Sequence, residues 1–145
     1  MIAVADVLKT IAEDKSLLLF NTIALSNSDS DTLISTLHLS RKQYYARLSA
    51  LLKTGLVKRE MSKYYLTTLG MILYHVQEII GKALNEYWKL EAIDSINATC
   101  NGKLPQDQFH RIIDTLITNQ EIKDILMQQI KEKSPKPEAV KKITI

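Results

Sequence analysis

Seven of the chain's nineteen lysines and arginines fall within residues 41–63, where the only acidic residue is Glu60. Ammonium and guanidinium groups pair with phosphate, so a surface that concentrates them is suited to a polyanion such as nucleic acid. The rest of the chain holds twelve bases and fifteen acids, a charge of −3, against +6 for this segment. The positive charge is therefore local. The seven basic residues are Arg41, Lys42, Arg47, Lys53, Lys58, Arg59 and Lys63.

A capped helix is predicted to position the first four of these bases. Ser40 is a strong helix N-cap, and Gln43 three residues later completes a capping box, in which each residue accepts a hydrogen bond from the other's backbone. Gly55 supplies the left-handed residue that ends the helix. Apolar residues at helical spacing define its buried face, so the remaining side chains point to solvent or to the flanks. The predicted buried residues are Tyr44, Leu48, Leu51 and Leu52.

After Gly55 the pattern becomes that of extended chain and predicts a β-hairpin for the other three bases. Residues 56–60 and 64–67 are short runs that favour strands, joined by residues 61–63. Side chains alternate between the two faces of a strand, so one of Tyr64 and Tyr65 packs inward. A basic helix followed by a basic hairpin results.

Three helices are predicted before this segment. Residues 3–13 carry an apolar stripe, and residues 14–25 are apolar around most of the helix, which places the second helix in the core. Residues 27–31 have turn chemistry and supply the N-cap of a short third helix, which His38 and Leu39 connect to the capped one. A helix-turn-helix is then complete. Inward-facing residues are predicted to be Val4, Val7, Leu8 and Ile11 in the first helix, and Leu33, Ile34 and Leu37 in the third.

The order of cap, core leucines, glycine stop and tyrosine-rich hairpin runs through Leu39-Ser40, Leu48, Leu51 and residues 55–57, 65–67 and 69–70. This order resembles the winged helix-turn-helix of ArsR- and MarR-type regulators, over roughly residues 14–96. The amino-acid sequence of residues 41–45 and 63–67 most resembles that of archaeal winged-helix proteins described as predicted transcriptional regulators. The resemblance implies that the capped helix enters the major groove of duplex DNA. It also implies that the hairpin tip reaches the adjacent minor groove or phosphates.

The solvent face of the capped helix offers side chains suited to base and phosphate contacts. Gln43 can pair with adenine through both atoms of its amide, and Ala46 is small enough to touch a thymine methyl. Arg41 or Lys42 suits guanine or phosphate, whereas Arg47 lies toward the flank and meets either the DNA backbone or an acidic neighbour. The predicted DNA-binding residues are Ser40, Arg41, Lys42, Gln43, Tyr45, Ala46, Arg47 and Ser49 on the helix, with Arg59, Ser62 and Lys63 implied at the hairpin by the resemblance.

Packing roles compete with DNA contacts for several of these side chains. Tyr44 is predicted to be a core residue, and Tyr45 is open between a base or phosphate contact and a packed, partly exposed aromatic ring. Lys53 and Lys58 are as consistent with solubilising charges as with phosphate contacts.

Residues 68–95 predict one long helix, capped by Thr67 or Thr68, with Gly70 allowing close approach near the hairpin. About 28 residues at 1.5 Å each span about 40 Å, more than a winged-helix core can cover. A second copy of the same helix is the simplest partner for the uncovered apolar face, which predicts a two-fold homodimer. The predicted dimerisation residues are Val76, Ile80, Ala83, Leu84, Tyr87 and Trp88.

The remainder of the chain predicts a turn over residues 97–103 and two further helices. The first begins with Pro105 at its first position and runs to Ile117, and the second is capped by Asn119. The expected domains are a winged helix-turn-helix DNA-binding domain (1–70), a long dimerisation helix with the C-terminal helical pair (71–132), and a flexible basic tail (133–145). Inward residues are predicted to be Phe109, Ile112, Ile113, Leu116, Ile122, Ile125, Leu126 and Ile130.

Several classes of protein are disfavoured by composition. No apolar run approaches the roughly 18 residues of a membrane span, and Asp6 stands where a signal peptide would carry bases. The single cysteine, Cys100, permits no internal disulfide, so a cytoplasmic protein without membrane contact is expected. His38, His75 and His110 lie far apart, and neither a metal nor another cofactor is expected. No catalytic motif stands out, so an enzyme is not expected.

The sequence therefore predicts a mostly α fold with a small β-hairpin, a winged helix-turn-helix followed by a long dimerisation helix and two further helices. The predicted function is that of a homodimeric, sequence-specific regulator of transcription that binds double-stranded DNA. The alternative is a winged-helix adaptor in a multiprotein assembly, which predicts an exposed apolar patch on the hairpin or helix and little affinity for duplex DNA. Whether Cys100 or an effector ligand signals to the protein stays open.

Overall fold

A computed structural model of the chain describes residues 1–131, so the predicted tail at 133–145 and the side chain of Ile130 lie outside the described part. The described chain is mostly helical with one two-stranded antiparallel hairpin, an order compatible with a winged-helix-like layout. It forms two compact units, Met1–His75 and a second that begins at Val76. The elements are α1 (Val4–Ile11), α2 (Asp14–Leu25), α3 (Ser30–Leu37), α4 (Arg41–Lys53), β1 (Val57–Glu60), β2 (Lys63–Leu66), α5 (Thr68–Asn85), α6 (Tyr87–Thr99), α7 (Gln106–Leu116) and α8 (Gln120–Lys131).

Helix α2 lies at the centre of the first unit, as its sequence predicts. It packs against α1, α3, α4 and β2, and Leu19, Phe20 and Ile23 have no exposed surface. The predicted stripe of α1 is only half covered: Val7 and Ile11 pack against the core, but Val4 and Leu8 are exposed. Apolar spacing marks which residues share a helix face, and the width of the neighbouring surface decides how many of them are buried.

Both ends of α4 confirm their predicted signals. The Gln43 amide N–H donates to Ser40 Oγ at 3.1 Å, and the Ser40 N–H donates to Gln43 Oε1 at 3.3 Å, which is a complete capping box. Gly55 has φ +74°, and the N–H groups of Gly55 and Leu56 bond back to Leu52 and Leu51, as in a Schellman motif. The predicted burial of Leu52 is wrong, since its side chain is exposed.

The hairpin pairs Val57 with Leu66 and Glu60 with Lys63, so Lys63 belongs to β2 and not to the connection. Two residues remain in the loop, Met61 and Ser62, with φ +49° and +66°. A two-residue loop with positive φ at both positions is a type I′ turn, whose twist matches that of the strands. Neither residue is glycine, so the turn is held at a conformational cost.

One threonine ties the end of the hairpin to α5. The Thr67 hydroxyl accepts the Gly70 N–H at 3.0 Å, which makes Thr67 the cap of α5, and it donates to the Gly55 carbonyl. Gly70 is buried where a Cβ atom would overlap the carbonyl oxygen of Leu56. The predicted close approach at Gly70 is therefore confirmed.

The second unit has its own core, formed by α6, α7, α8 and the last turns of α5. Ile93, Ile113, Ile117 and Ile122 are buried there. The Asn119 side chain accepts the Ile122 N–H at 3.1 Å and so caps α8, as predicted. Other inward predictions also hold, except for Ile125, which is exposed. The residues packed around this core are Ile79, Ala83, Leu90, Phe109, Ile112, Leu116, Leu126 and Met127.

Three predictions about this unit are wrong. The single helix over residues 68–95 is divided at Glu86, which has φ −103° and ψ 18°. Residues 97–99 belong to α6 and not to a turn, which the positive φ angles place at Asn101 and Gly102. Pro105 is the N-cap of α7 and not its first residue. Within residues 1–131, no helix combines the length and apolarity that crossing a membrane requires.

Candidate nucleic-acid interface

Helix α4 turns its polar side to solvent. Lys42, Gln43, Ala46 and Ser49 are all exposed, whereas Tyr44 has no exposed surface. This division follows from helical geometry, because Tyr44 is one of three α4 residues fixed in the core and the intervening positions must face outward. The structure thus leaves the predicted base-reading positions accessible, as entry into a groove requires.

Gln43, which the sequence predicts to pair with adenine, also takes part in the cap of α4. Its Oε1 accepts the Ser40 N–H at 3.3 Å and so completes the cap. Pairing with adenine through both amide atoms would use the same oxygen as acceptor for the base's amino group. An amide oxygen has two lone pairs, so in the capped conformation Oε1 keeps one acceptor position and the amide nitrogen keeps both of its N–H groups. The hydrogen bond to Ser40 therefore leaves both groups that a two-point contact with adenine needs, an acceptor position on Oε1 and an amide N–H.

Arg47 is held by an acidic neighbour, one of the two contacts that the sequence left open. Its Nε and Nη2 donate to the two carboxylate oxygens of Glu13 at 2.9 and 2.7 Å. Its Nη1 donates to the Gln43 carbonyl at 3.1 Å. The Arg47 hydrogen bond, with a smaller contribution from Ser16, lowers the pKa of Glu13 from 4.5 to about 2. Arg47 therefore stabilises α4 against the start of α2, and its charge is already paired.

Tyr45 is half exposed and lies edge-on against the buried Tyr44 ring, with centroids 5.0 Å apart and planes at 77°. Below it, the Tyr44 hydroxyl donates to Ser30 Oγ at 3.0 Å, and Ser30 Oγ donates to the Tyr64 hydroxyl at 3.4 Å. Burial raises the pKa of Tyr44, so its hydroxyl stays protonated and can donate. Tyr45 is thus both packed and accessible. Tyr64 is the inward tyrosine of the hairpin.

A groove of about 380 Å³ lies between the start of α3, α4 and the hairpin tip. Sequence reasoning about residues 41–63 missed its two carboxylates, because both precede that segment. Asp31 Oδ1 lies 3.9 Å from Arg41 Nη2, with both groups well exposed. The Asp29 carboxylate caps α3 by accepting the Thr32 N–H, which, with the charge of Lys63, lowers the pKa of Asp29. The basic surface therefore has an acidic border on the α3 side.

The hairpin presents its predicted contacts to solvent. Arg59, Ser62 and Lys63 are exposed, and Arg59 lies opposite Tyr64 in the strand register. Lys58 lies 3.2 Å from Glu60 on the same strand, which removes part of the local charge. Arg59 and Lys63 are therefore the hairpin bases best suited to meet phosphate.

The predicted dimerisation residues divide into two sets. Ala83 is partly buried and packs against the core of the second unit in its own chain. The others are exposed: Trp88 at 78%, Leu84 at 65%, Ile80 at 55%, Tyr87 at 51% and Val76 at 41%.

Within the described part of the chain, no three His, Cys, Asp or Glu side chains lie close enough together to hold a metal ion. Cys100 is a free, partly buried thiol. Comparison of the chain with protein-family models, curated proteins and solved structures finds no match.

Proposed function

We propose that the protein is a winged helix-turn-helix regulator that binds double-stranded DNA as a homodimer, with α4 in the major groove. The observation that carries the proposal is the surface of α4, where Lys42, Gln43, Ala46 and Ser49 are all exposed on a rigidly capped helix. An α-helix fits the major groove, and small or polar side chains at its face allow close approach to the bases.

Charge placement supports the same function. Arg47 and Lys58 are paired within the protein, but no ion pair in the described chain engages Lys42, Arg59 or Lys63. Phosphate contacts from such groups release counterions and fix the protein on the duplex. The acidic border formed by Asp29 and Asp31 repels phosphate and so restricts the DNA path to α4 and the hairpin.

The exposed apolar residues of the second unit support self-association. Ile80, Leu84 and Trp88 each leave more than half of their surface in water, which is costly for a lone subunit. In a two-fold dimer the same residues would be covered in both copies. Two recognition helices would then meet successive major grooves, about 34 Å apart, on a pseudo-palindromic site.

The decisive experiment is the salt dependence of binding to a fluorescent random-sequence duplex, measured by anisotropy. The plot of log K against log salt has a negative slope, to which each phosphate contact contributes about 0.9. The double variant Lys42→Ala/Arg59→Ala should therefore make this slope shallower by up to about 1.8. The matched control is Lys9→Ala/Lys15→Ala, which removes the same charge from exposed positions on α1 and α2. Its slope should equal that of the wild type.

Two outcomes would contradict the proposal. If the salt dependence of binding fell equally in both double variants, net charge, and not the α4–hairpin surface, would drive binding. Absence of duplex binding even at low salt would favour the adaptor function instead. One observation points that way: Met61 at the hairpin tip is 96% exposed, as an apolar docking contact would be.

A further inference from the structure

The division between α5 and α6 has no local cause in the sequence. Sharp breaks in helices normally occur at proline, at glycine or serine pairs, or where another group inserts into the hydrogen-bond series. Residues 82–94 contain neither glycine nor proline. Yet Glu86 leaves the helical conformation, and its N–H bonds to the Ala83 carbonyl, three residues back instead of four. The cause must therefore be tertiary.

The side chain of Glu86 identifies that cause. It is 9% exposed, and its Oε1 accepts both the N–H of Thr118 at 3.0 Å and the Thr118 hydroxyl at 2.8 Å. Thr118 lies in the connection between α7 and α8. Hydrogen bonds to an ionised carboxylate are about twice as strong as neutral ones, and here two of them converge on one oxygen. The Lys89 ammonium lies 3.7 Å from the same atom.

The contact is also incomplete in a way that permits release. Glu86 Oε2 is buried but has no hydrogen-bond partner within the described chain. A buried carboxylate oxygen without a donor is costly, so the closed contact does not satisfy the group fully. The Thr118 hydrogen bonds still lower the pKa of Glu86, which keeps the carboxylate ionised and the contact closed at neutral pH.

We propose that the Glu86–Thr118 contact is a conformational clamp: closed, it divides residues 68–99 into two helices, and open, it allows them to join into one. On an uninterrupted helix, Val76, Ile80, Leu84 and Tyr87 fall within an arc of about 80°. Val76, Ile80 and Leu84 already share one face of α5, so opening would extend that stripe to Tyr87 on α6, with Trp88 about 40° beyond its edge. Release of the clamp strengthens self-association, a consequence that rests on the proposed homodimer.

The clamp itself is tested by amide hydrogen exchange, which needs neither DNA nor a dimer. Thr118→Val removes the hydroxyl donor without touching α5 or α6, and Glu86→Ala removes the acceptor. Each should slow exchange of the Tyr87 and Trp88 amides, roughly tenfold for Glu86→Ala, because these amides gain helical partners. Two controls should leave exchange unchanged: Thr118→Ser, which keeps the hydroxyl, and Asn85→Ala, which raises helix propensity beside the clamp.

Sedimentation equilibrium on the same full-length variants tests the consequence. A tighter dimer in Thr118→Val and Glu86→Ala, but not in the controls, supports the link to self-association. Slowed exchange without any dimer would leave the clamp standing and refute the proposed homodimer. Unchanged or faster exchange of the Tyr87 and Trp88 amides in both Thr118→Val and Glu86→Ala would overturn the inference. The contact would then only stabilise the fold.

Discussion

Gln43 offers a way to separate the folding of α4 from its proposed reading of DNA. Glutamate at this position keeps an oxygen for the Ser40 N–H and so preserves the capping box. It loses the amide N–H that would donate to adenine and adds a negative charge near phosphate. Alanine removes both functions. Both substitutions therefore remove the base contact, but only alanine removes the cap.

The two effects have different expected sizes. The 3.3 Å bond between Ser40 and Gln43 is long and exposed, so Gln43→Ala should lower the free energy of unfolding by about 0.5–1 kcal/mol, and Gln43→Glu by nothing measurable. A two-point contact to adenine contributes about 1–3 kcal/mol, so either variant should lose roughly 5- to 150-fold in affinity for a selected duplex.

Urea unfolding and anisotropy titrations measure the two quantities on the same samples. The duplex is obtained by selection from a random library, and the ratio of its affinity to that of random duplex is the reported value. Gln108→Glu serves as the matched control, because it makes the same substitution at an exposed position in the first turn of α7, outside the proposed DNA surface. If Gln43→Glu kept the wild-type ratio, Gln43 would not read bases. If Gln43→Ala had the same free energy of unfolding as the wild type, the Gln43 side chain would contribute no measurable stability to the cap.

Two further predictions concern stability. Ser62→Gly should raise the free energy of unfolding by about 1 kcal/mol in urea titrations, because φ +66° costs serine but not glycine; Ser49→Gly, in ordinary helix, should lower it by about 0.5–1 kcal/mol. The Glu13–Arg47 pair should contribute stability fully above pH 4.5 and lose it as pH falls toward 2, because the folded-state pKa of Glu13 is depressed to about 2. Relative to Arg47→Gln, the wild type should therefore lose more stability over that interval, and equal losses would refute the pairing.

Features that depend on near neighbours in the chain were predictable from the sequence. Ser40 with Gln43, Asn119 with Ile122, and the left-handed Gly55 each act over three or so residues, and each is found where its residue type indicates. Local hydrogen-bonding chemistry is the same in a peptide as in a fold, which is why caps and stops can be read directly. The α4 surface could be predicted for the same reason.

Contacts between distant segments were beyond such reasoning. Arg47 meets Glu13 across 34 residues, and Glu86 meets Thr118 across 32. Glutamate is a favourable helix former, so at position 86 its propensity predicts continuation, and only the position of Thr118 in space reverses that preference. The same limit applies to Asp29 and Asp31, whose effect on the basic surface depends on where α3 begins.

The apolar pattern of α5 shows what periodicity records and what it omits. Ala83 and Leu84 are adjacent apolar residues that the sequence assigns to one interface, yet Ala83 packs against its own chain and Leu84 remains 65% exposed. A helix has room for neighbours on more than one side, so an apolar face wider than one partner can be shared between the chain's own helices and a second copy. Apolar periodicity identifies the residues that are expected to be buried, but not the helix or subunit that buries them. The residues left exposed after the chain's own packing, Ile80, Leu84 and Trp88 among them, are therefore a stricter guide to a partner than the full stripe.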